Sequence, residues 1–165
     1  MSSSPQNRIS IAPVTLPLLD EYYRGFQTDP VLFMDESRFF EYEYSSEKVS
    51  AYYKKLASGP DRRDFMIMLG ARPIGEIALK HIDRKKRECE LSIHLQNDSV
   101  KNRGFGSEAE RLALEFAFNE LGMKAVNAGC VLKNGRSMHV LEKLGFRKTG
   151  QDETFAYYRL EGGGN

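Results

Sequence analysis

The stretch KNRGFGSEAERLALEFAFNELG, residues 101–122, sets two glycines and two cations directly against the start of a long amphipathic helix. Glycine inside a helix costs about 1 kcal/mol relative to alanine, so the pattern needs another reason. Free N–H groups at a helix N-terminus, backed by the positive end of the helix dipole, stabilise phosphate. Glycines let an anion approach the backbone, and Lys101 and Arg103 add charge. Gly104, Gly106 and Ala109 also fit G-x-G-x-x-A, the turn of a dinucleotide fold. That turn should follow its strand tightly and meet an acid near the end of the next strand. Here QNDSVKN (96–102) intervenes, and the next strand ends CVLKNG with no acid. A P-loop fails as well, because no G-K-[ST] closes the glycines. What stands is an anion-binding loop that opens a helix, beside the plainer reading of a glycine-containing loop with solvated cations.

Outward from that helix the pattern alternates between periods of two and 3.6. Upstream, DFMIMLG (64–70) and PIGEIALKHI (73–82), parted by Ala71-Arg72, read as a β-hairpin, and RECELSIHL (87–95) as the strand after it. Downstream come a strand KAVNAGCVL (124–132) and a helix NGRSMHVLEKLG (134–145). The strand segments FRKTG (146–150) and TFAYYRL (154–160) follow. At the front, RISIAPV (8–14) is a strand, and TLPLLDEYYRGF (15–26) a helix with Thr15 as N-cap and Pro17 in its first turn. SSEKVSAYYKKLASG (45–59) is a second helix, capped by Ser46 and stopped at Gly59-Pro60. Residues 27–44 are aromatic and acidic without a clear period. The order is β-α-α-β-β-β-α-β-α-β-β. The hairpins are antiparallel, and the crossover 87–132 implies one parallel pair. The expected fold is α/β (α+β): a mixed, mostly antiparallel sheet of about seven strands with helices on both faces.

Composition narrows the class. The chain has 165 residues, enough for one domain, 1–165, with residues 1–7 and 161–165 expected to fray. A net charge of +1 gives no broad electrostatic case for nucleic acid or a membrane surface. No apolar run approaches the ~20 residues of a membrane span, and MSSSPQN lacks the apolar core of a signal peptide. The expectation is a cytoplasmic protein. Cys89 and Cys130 sit inside apolar strand runs and read as two buried reduced thiols rather than a disulfide or metal pair. No metal site is expected.

Strand period supplies candidate chemistry. In ECELSIHL, Glu88, Glu90, Ser92 and His94 share one face, while Cys89, Leu91, Ile93 and Leu95 share the other. One face is apolar, and the other carries two carboxylates and an imidazole. His94 can carry a proton near neutral pH. Residues 29–47 gather Asp29, Asp35, Glu36, Glu41, Glu43 and Glu47 with Phe33, Phe39, Phe40, Tyr42 and Tyr44. Acids beside aromatics suit a cationic amine, and equally an amphipathic cover with its acids in water.

KNRGFGSEAERLALEFAFNELGMKAV followed by NGRSMHVLEKLGF resembles the GNAT superfamily of N-acetyltransferases over nearly the whole chain. Lys101, Gly104 and Gly106 match the spacing of its loop Q/R-x-x-G-x-G/A, with Lys in place of Gln or Arg. Asn134, Ser137, Glu142, Lys143, Gly145 and Phe146 match its N-x-x-S/A…E-K-x-G-F. The resemblance implies that acetyl-CoA is the co-substrate. Its pyrophosphate would lie on Lys101, Asn102, Arg103, Gly104, Phe105, Gly106 and Ser107. Its pantetheine arm would run beside strand 88–95 to Leu95 and Gln96, with Asn134 and Ser137 opposite. It also implies direct acetyl transfer to a primary amine within a ternary complex, with Glu90 as base, Glu76 as its alternative and His94 as proton carrier. A backbone N–H near His94–Gln96 would polarise the carbonyl. The wording LEKLGF is similar to the branch that acetylates ribosomal-protein N-termini, so the acceptor is expected to be a small-molecule or peptide amine, and a homodimer is possible. Leu141 stands where many members have a tyrosine acid. That departure keeps open a non-catalytic acyl-CoA-binding module.

Overall fold

The computed structural model describes residues 8–162. Seven strands form one sheet in the order β1-β2-β3-β4-β5-β7-β6. They are β1 (Ile9–Pro13), β2 (Arg63–Leu69), β3 (Arg72–Asp83), β4 (Glu88–Leu95), β5 (Ala125–Val131), β6 (Arg147–Gln151) and β7 (Phe155–Glu161). Four helices join them: α1 (Leu16–Arg24), α2 (Ser46–Ala57), α3 (Phe105–Glu115) and α4 (Gly135–Lys143). Only β4 and β5 run parallel; the other neighbours are antiparallel. The element order, the mixed sheet of seven strands and its one parallel pair are those the sequence predicts; the connection from β5 through α4 to β6 also crosses over β7.

Alternation along β2 shows how the layers separate. Met66 and Met68 pack with Leu19 and Tyr22 of α1 and Val49 and Leu56 of α2. Ile67, between them, belongs to the opposite core with Ala109 and Ala113 of α3 and Leu141 of α4. A period of two thus buries both faces, each beneath its own pair of helices. Cys89 and Cys130 are free thiols buried in the α3 core.

Local chemistry moves several predicted boundaries. Thr15 caps α1 as expected, its Oγ1 accepting the Leu18 N–H at 3.3 Å. The cap of α2 is Ser45 rather than Ser46, because its Oγ accepts from Lys48 N–H, three residues on. Residues 27–44 hold two short 3-10 turns, Pro30–Leu32 and Glu36–Arg38, capped by Asp29 and Asp35. The helix after the glycine loop leaves the α form at Phe116 and closes with a π turn, Phe116–Glu120. Glu161, expected to fray, ends β7, and the Gly162 N–H donates to Lys124 O at 2.7 Å. Residues 1–7 and 163–165 lie outside the described residues. No helix among the described residues is long and apolar enough to cross a membrane.

The parallel pair is short. Register runs from Glu88 opposite Ala125 to Leu91 opposite Ala128, although both strands continue. The paired end is clamped: Arg159 of β7 forks onto Glu88 of β4 at 2.8 and 3.2 Å, and Asn127 of β5 also donates to Glu88. The other end lies open.

The Arg159 hydrogen bonds hold the Glu88 carboxyl at about 2, against an ordinary 4.5. A depressed carboxylate stabilises the fold fully above its unfolded value and loses that contribution as pH falls toward the folded one. Partial exposure of both side chains keeps the effect modest. Melting temperatures measured from pH 6 to pH 2.5 should therefore fall more steeply in the natural protein than in Arg159→Met. Parallel curves would remove the clamp.

Candidate active site

Where β4 and β5 part, a cavity of about 500 Å³ opens. One wall is the end of β4, with Ile93, His94 and Leu95; another is the loop into α3, with Lys101, Asn102, Gly104, Gly106 and Ser107. The start of α4 supplies Asn134, Arg136 and Ser137, and the segment after α1 supplies Phe26, Asp29, Val31 and Leu32. The cavity is apolar along its length and polar at the helix ends, a shape suited to an alkyl-amide arm carrying phosphates.

The glycine loop is built to leave N–H groups bare. Asn102 and Gly104 take positive φ, 61° and 81°, turning the chain sharply into α3. Gly104 occupies the N-cap position, and no side chain caps the helix. The first intrahelical bond recorded there is Glu108 N–H to Gly104 O, so the Phe105, Gly106 and Ser107 N–H groups precede the helical ladder. A Cβ on Gly106 would meet Ile93 and Leu95 only at 3.7 Å, an ordinary contact. Packing therefore does not demand glycine there, whereas close approach of a ligand to the backbone does. These features fit a pyrophosphate.

The cations are arranged differently from the sequence expectation. Lys101 is mostly buried and bonds Asp29 at 2.8 Å, with Asp98 at 3.3 Å. Burial opposes charge on Asp29, but Lys101 and the Val31 N–H outweigh it and hold the carboxyl below its usual range. Arg103 lies outside the cavity lining, exposed, with its guanidinium over the Phe105 ring at 4.8 Å. Arg136 and Lys133 do line the cavity, and neither was singled out from sequence. Lys133 reaches Phe33 O at 2.9 Å, fastening the segment 27–38 across the mouth together with the Lys101–Asp29 pair.

At α4, Asn134 is a helix cap and a wall of the cavity in one geometry. Its Oδ1 accepts the Ser137 N–H at 3.1 Å as a helix cap, and the residue lines the cavity. The cap uses only the carbonyl end of the carboxamide, so the NH₂ end remains for a ligand. Gln96, in contrast, is structural. It is buried, its Nε2 donates to Tyr22 O at 2.7 Å, and its Oε1 accepts from Arg72.

The three candidate proton acceptors are spread over the same sheet face. His94 lines the cavity with its edge open to solvent, and the protein packed around its ring, followed by the charge of Lys80, holds its imidazole below the ordinary value. Glu76 is its cross-strand partner on β3. That carboxyl is buried, accepts hydrogen bonds from Tyr23 at 2.5 Å and Tyr52 at 3.0 Å, and is raised by burial despite both bonds. Glu90 stands four residues back along β4, about 13 Å from His94, and bonds His81 Nδ1 at 2.8 Å. It does not line the cavity.

Backbone register also narrows the carbonyl-binding donor. The Gln96 N–H is bound to Ile74 O at 2.8 Å, toward β3. Alternation then turns the His94 N–H toward β3, and those of Ile93 and Leu95 toward the side β5 has left. Within His94–Gln96, Leu95 is the position whose N–H faces the opening. Leu141, in place of a tyrosine, is buried in the core.

Residues 8–147 match the family described as Acetyltransferase (GNAT) domain. The chain is 31% identical to "Probable N-acetyltransferase YjcK" of Bacillus subtilis over 68% of this chain and 58% of that protein. It is 24% identical to spermidine N(1)-acetyltransferase of Escherichia coli K12 over 68% of this chain and 60% of that protein. It thus spans about three-fifths of the length of these curated relatives. A dodecameric structure of spermidine N-acetyltransferase from Vibrio cholerae shares the fold, with a TM-score of 0.69, 17% identity and 93% of each chain covered. With residues 8–147 matched to that family, this chain belongs to the GNAT acetyltransferases.

Proposed function

We propose that this protein transfers an acetyl group from acetyl-CoA to a primary amine by direct attack in a ternary complex. The observation that carries the reading is the opening between β4 and β5, continuous with the uncapped N-terminus of α3. When bound, acetyl-CoA supplies a thioester whose thiolate is a fairly good leaving group. The Phe105, Gly106 and Ser107 N–H groups hold the pyrophosphate, with Arg136 as added charge. Asn134 and Ser137 face the arm. The Leu95 N–H is placed for charge developing on the thioester oxygen, where a fixed donor helps most. His94, its imidazole held below the ordinary value, takes the proton the amine loses. Glu90 and Glu76 act at most through water or by positioning, since neither lines the cavity.

For the acceptor we favour a small cationic amine. Tyr23, Phe26, Tyr42 and Tyr52 form one cluster beside Glu76, with ring centroids 5.2–5.9 Å apart, and Phe26 carries it to the cavity wall. Such rings attract ammonium groups, and one relative is named for spermidine. The LEKLGF wording favours a second acceptor, a peptide N-terminus. Leu141 favours a different class altogether, an acyl-CoA-binding module without turnover.

Calorimetric titration should show saturable binding of acetyl-CoA and none of NAD or ATP. Absence of acetyl-CoA binding would sink the whole reading. Thiol release with a panel of polyamines and peptides should then show turnover with at least one amine. Binding without any turnover would leave the module.

His94→Gln should lower kcat by about 10²-fold or more with little change in acetyl-CoA affinity. In the natural enzyme kcat/KM should fall as pH drops through a value below about 6.5, and that limb should vanish in the variant. An unchanged acid limb would take the proton away from His94.

A further inference from the structure

Glu110 is a buried acid that the steps above leave idle. It follows Gly106 by four residues on α3, and so lies on the same helix face one turn deeper. Its side chain is 4% exposed, its Oε2 has no hydrogen-bond partner among the described residues, and the residue lines the cavity. A carboxyl so placed lowers stability unless something meets it. Rotation about its terminal bond, a soft torsion, brings either oxygen to the cavity.

Its surroundings leave it neutral. Burial, with no compensating cation, pushes its pKa up to about 8, so at neutral pH it is chiefly an O–H donor. Of the titratable groups in that core, Cys130 on β5 feels the Glu110 charge, and Tyr158 on β7 and Glu142 on α4 stand beyond it, coupled to Cys130. Across the cavity stand His94 on β4 and, at the mouth, Asp29, Asp98, Lys101, Lys133 and Arg136. His94 lies below its ordinary value and Cys130 and Tyr158 above theirs.

On the acetyl-CoA reading just given, we propose that Glu110, as the neutral acid, donates its O–H to a carbonyl oxygen of the pantetheine arm. The arm's amides are neutral acceptors, and one turn of helix inward from the phosphate-binding N–H groups is where such an arm must pass. An ionised Glu110 would face that oxygen with its own lone pairs. The co-substrate therefore selects the protonated protein, and its affinity is linked to pH.

The test is calorimetric titration of acetyl-CoA between pH 7 and pH 9. Adenosine 3′,5′-bisphosphate is the control, because it has phosphates and no arm. Linkage to one group near 8 predicts about tenfold weaker acetyl-CoA binding at pH 9 than at pH 7. Glu110→Gln, which keeps a donor and cannot ionise, should bind at pH 7 within about threefold of the natural protein and lose the pH dependence. Glu110→Leu should bind about 2–10-fold more weakly than the natural protein at pH 7, hold that affinity unchanged to pH 9, and melt no lower than the natural protein. Acetyl-CoA binding that is flat from pH 7 to 9 overturns the assignment. So does a slope kept in Glu110→Gln or shared by the control. Failure of the natural protein to bind acetyl-CoA at pH 7 would overturn the functional reading itself, and this assignment with it.

Discussion

The structure turns on a parallel strand pair that stops early. β4 and β5 share register for only four residues each, then separate. A backbone that leaves its neighbour exposes N–H and C=O groups needing partners, and proteins rarely leave them buried and unpaired. Here the gap faces a cavity. The Glu88–Arg159–Asn127 clamp closes the strands at one end, and α3 and α4 wedge their N-termini toward the other. The same break thus creates both a lined slot and the backbone donors inside it.

Everything placed around the slot follows from short-range geometry. The positive φ of Gly104 aims α3 so that its first N–H groups point outward uncapped. Asn134 both starts α4 and lines the slot, so helix and site share one residue. Gln96 fixes the strand end from behind by bonding Tyr22 O, which joins β4 to α1. His94 is held in line by the register that sets it opposite Glu76. The site is thereby an outcome of sheet register as much as of its own side chains.

The fold was legible because its signals are local: period-two runs, caps and glycine stops set the element order before any tertiary contact. The glycine loop was legible for the same reason, since φ preference and helix start are read from consecutive residues. Legibility ended where neighbours in sequence part company in space. Leu95 and Gln96 look equivalent on the chain, yet strand alternation sends one to the cavity and the other to α1. Arg103 sits inside the motif and still turns to Phe105, while Arg136, outside it, lines the cavity. Glu110 is hidden from pattern reading because an acid on an amphipathic helix ordinarily belongs to the solvent face. Ser46 lost the cap to Ser45 by one residue, the usual precision of a boundary drawn without geometry.

The fastening across the cavity mouth bears on how quickly a ligand arrives. Lys101 is matched by Asp29 and Asp98, and Lys133 stands near Glu36. The mouth therefore presents little unbalanced charge at distances beyond a Debye length, about 8 Å in physiological salt. A polyanion approaching it feels weak long-range steering, and its capture depends on the last few ångströms, where fixed N–H groups take hold. Association in such a site is paced by orientation rather than attraction, and is correspondingly insensitive to ionic strength.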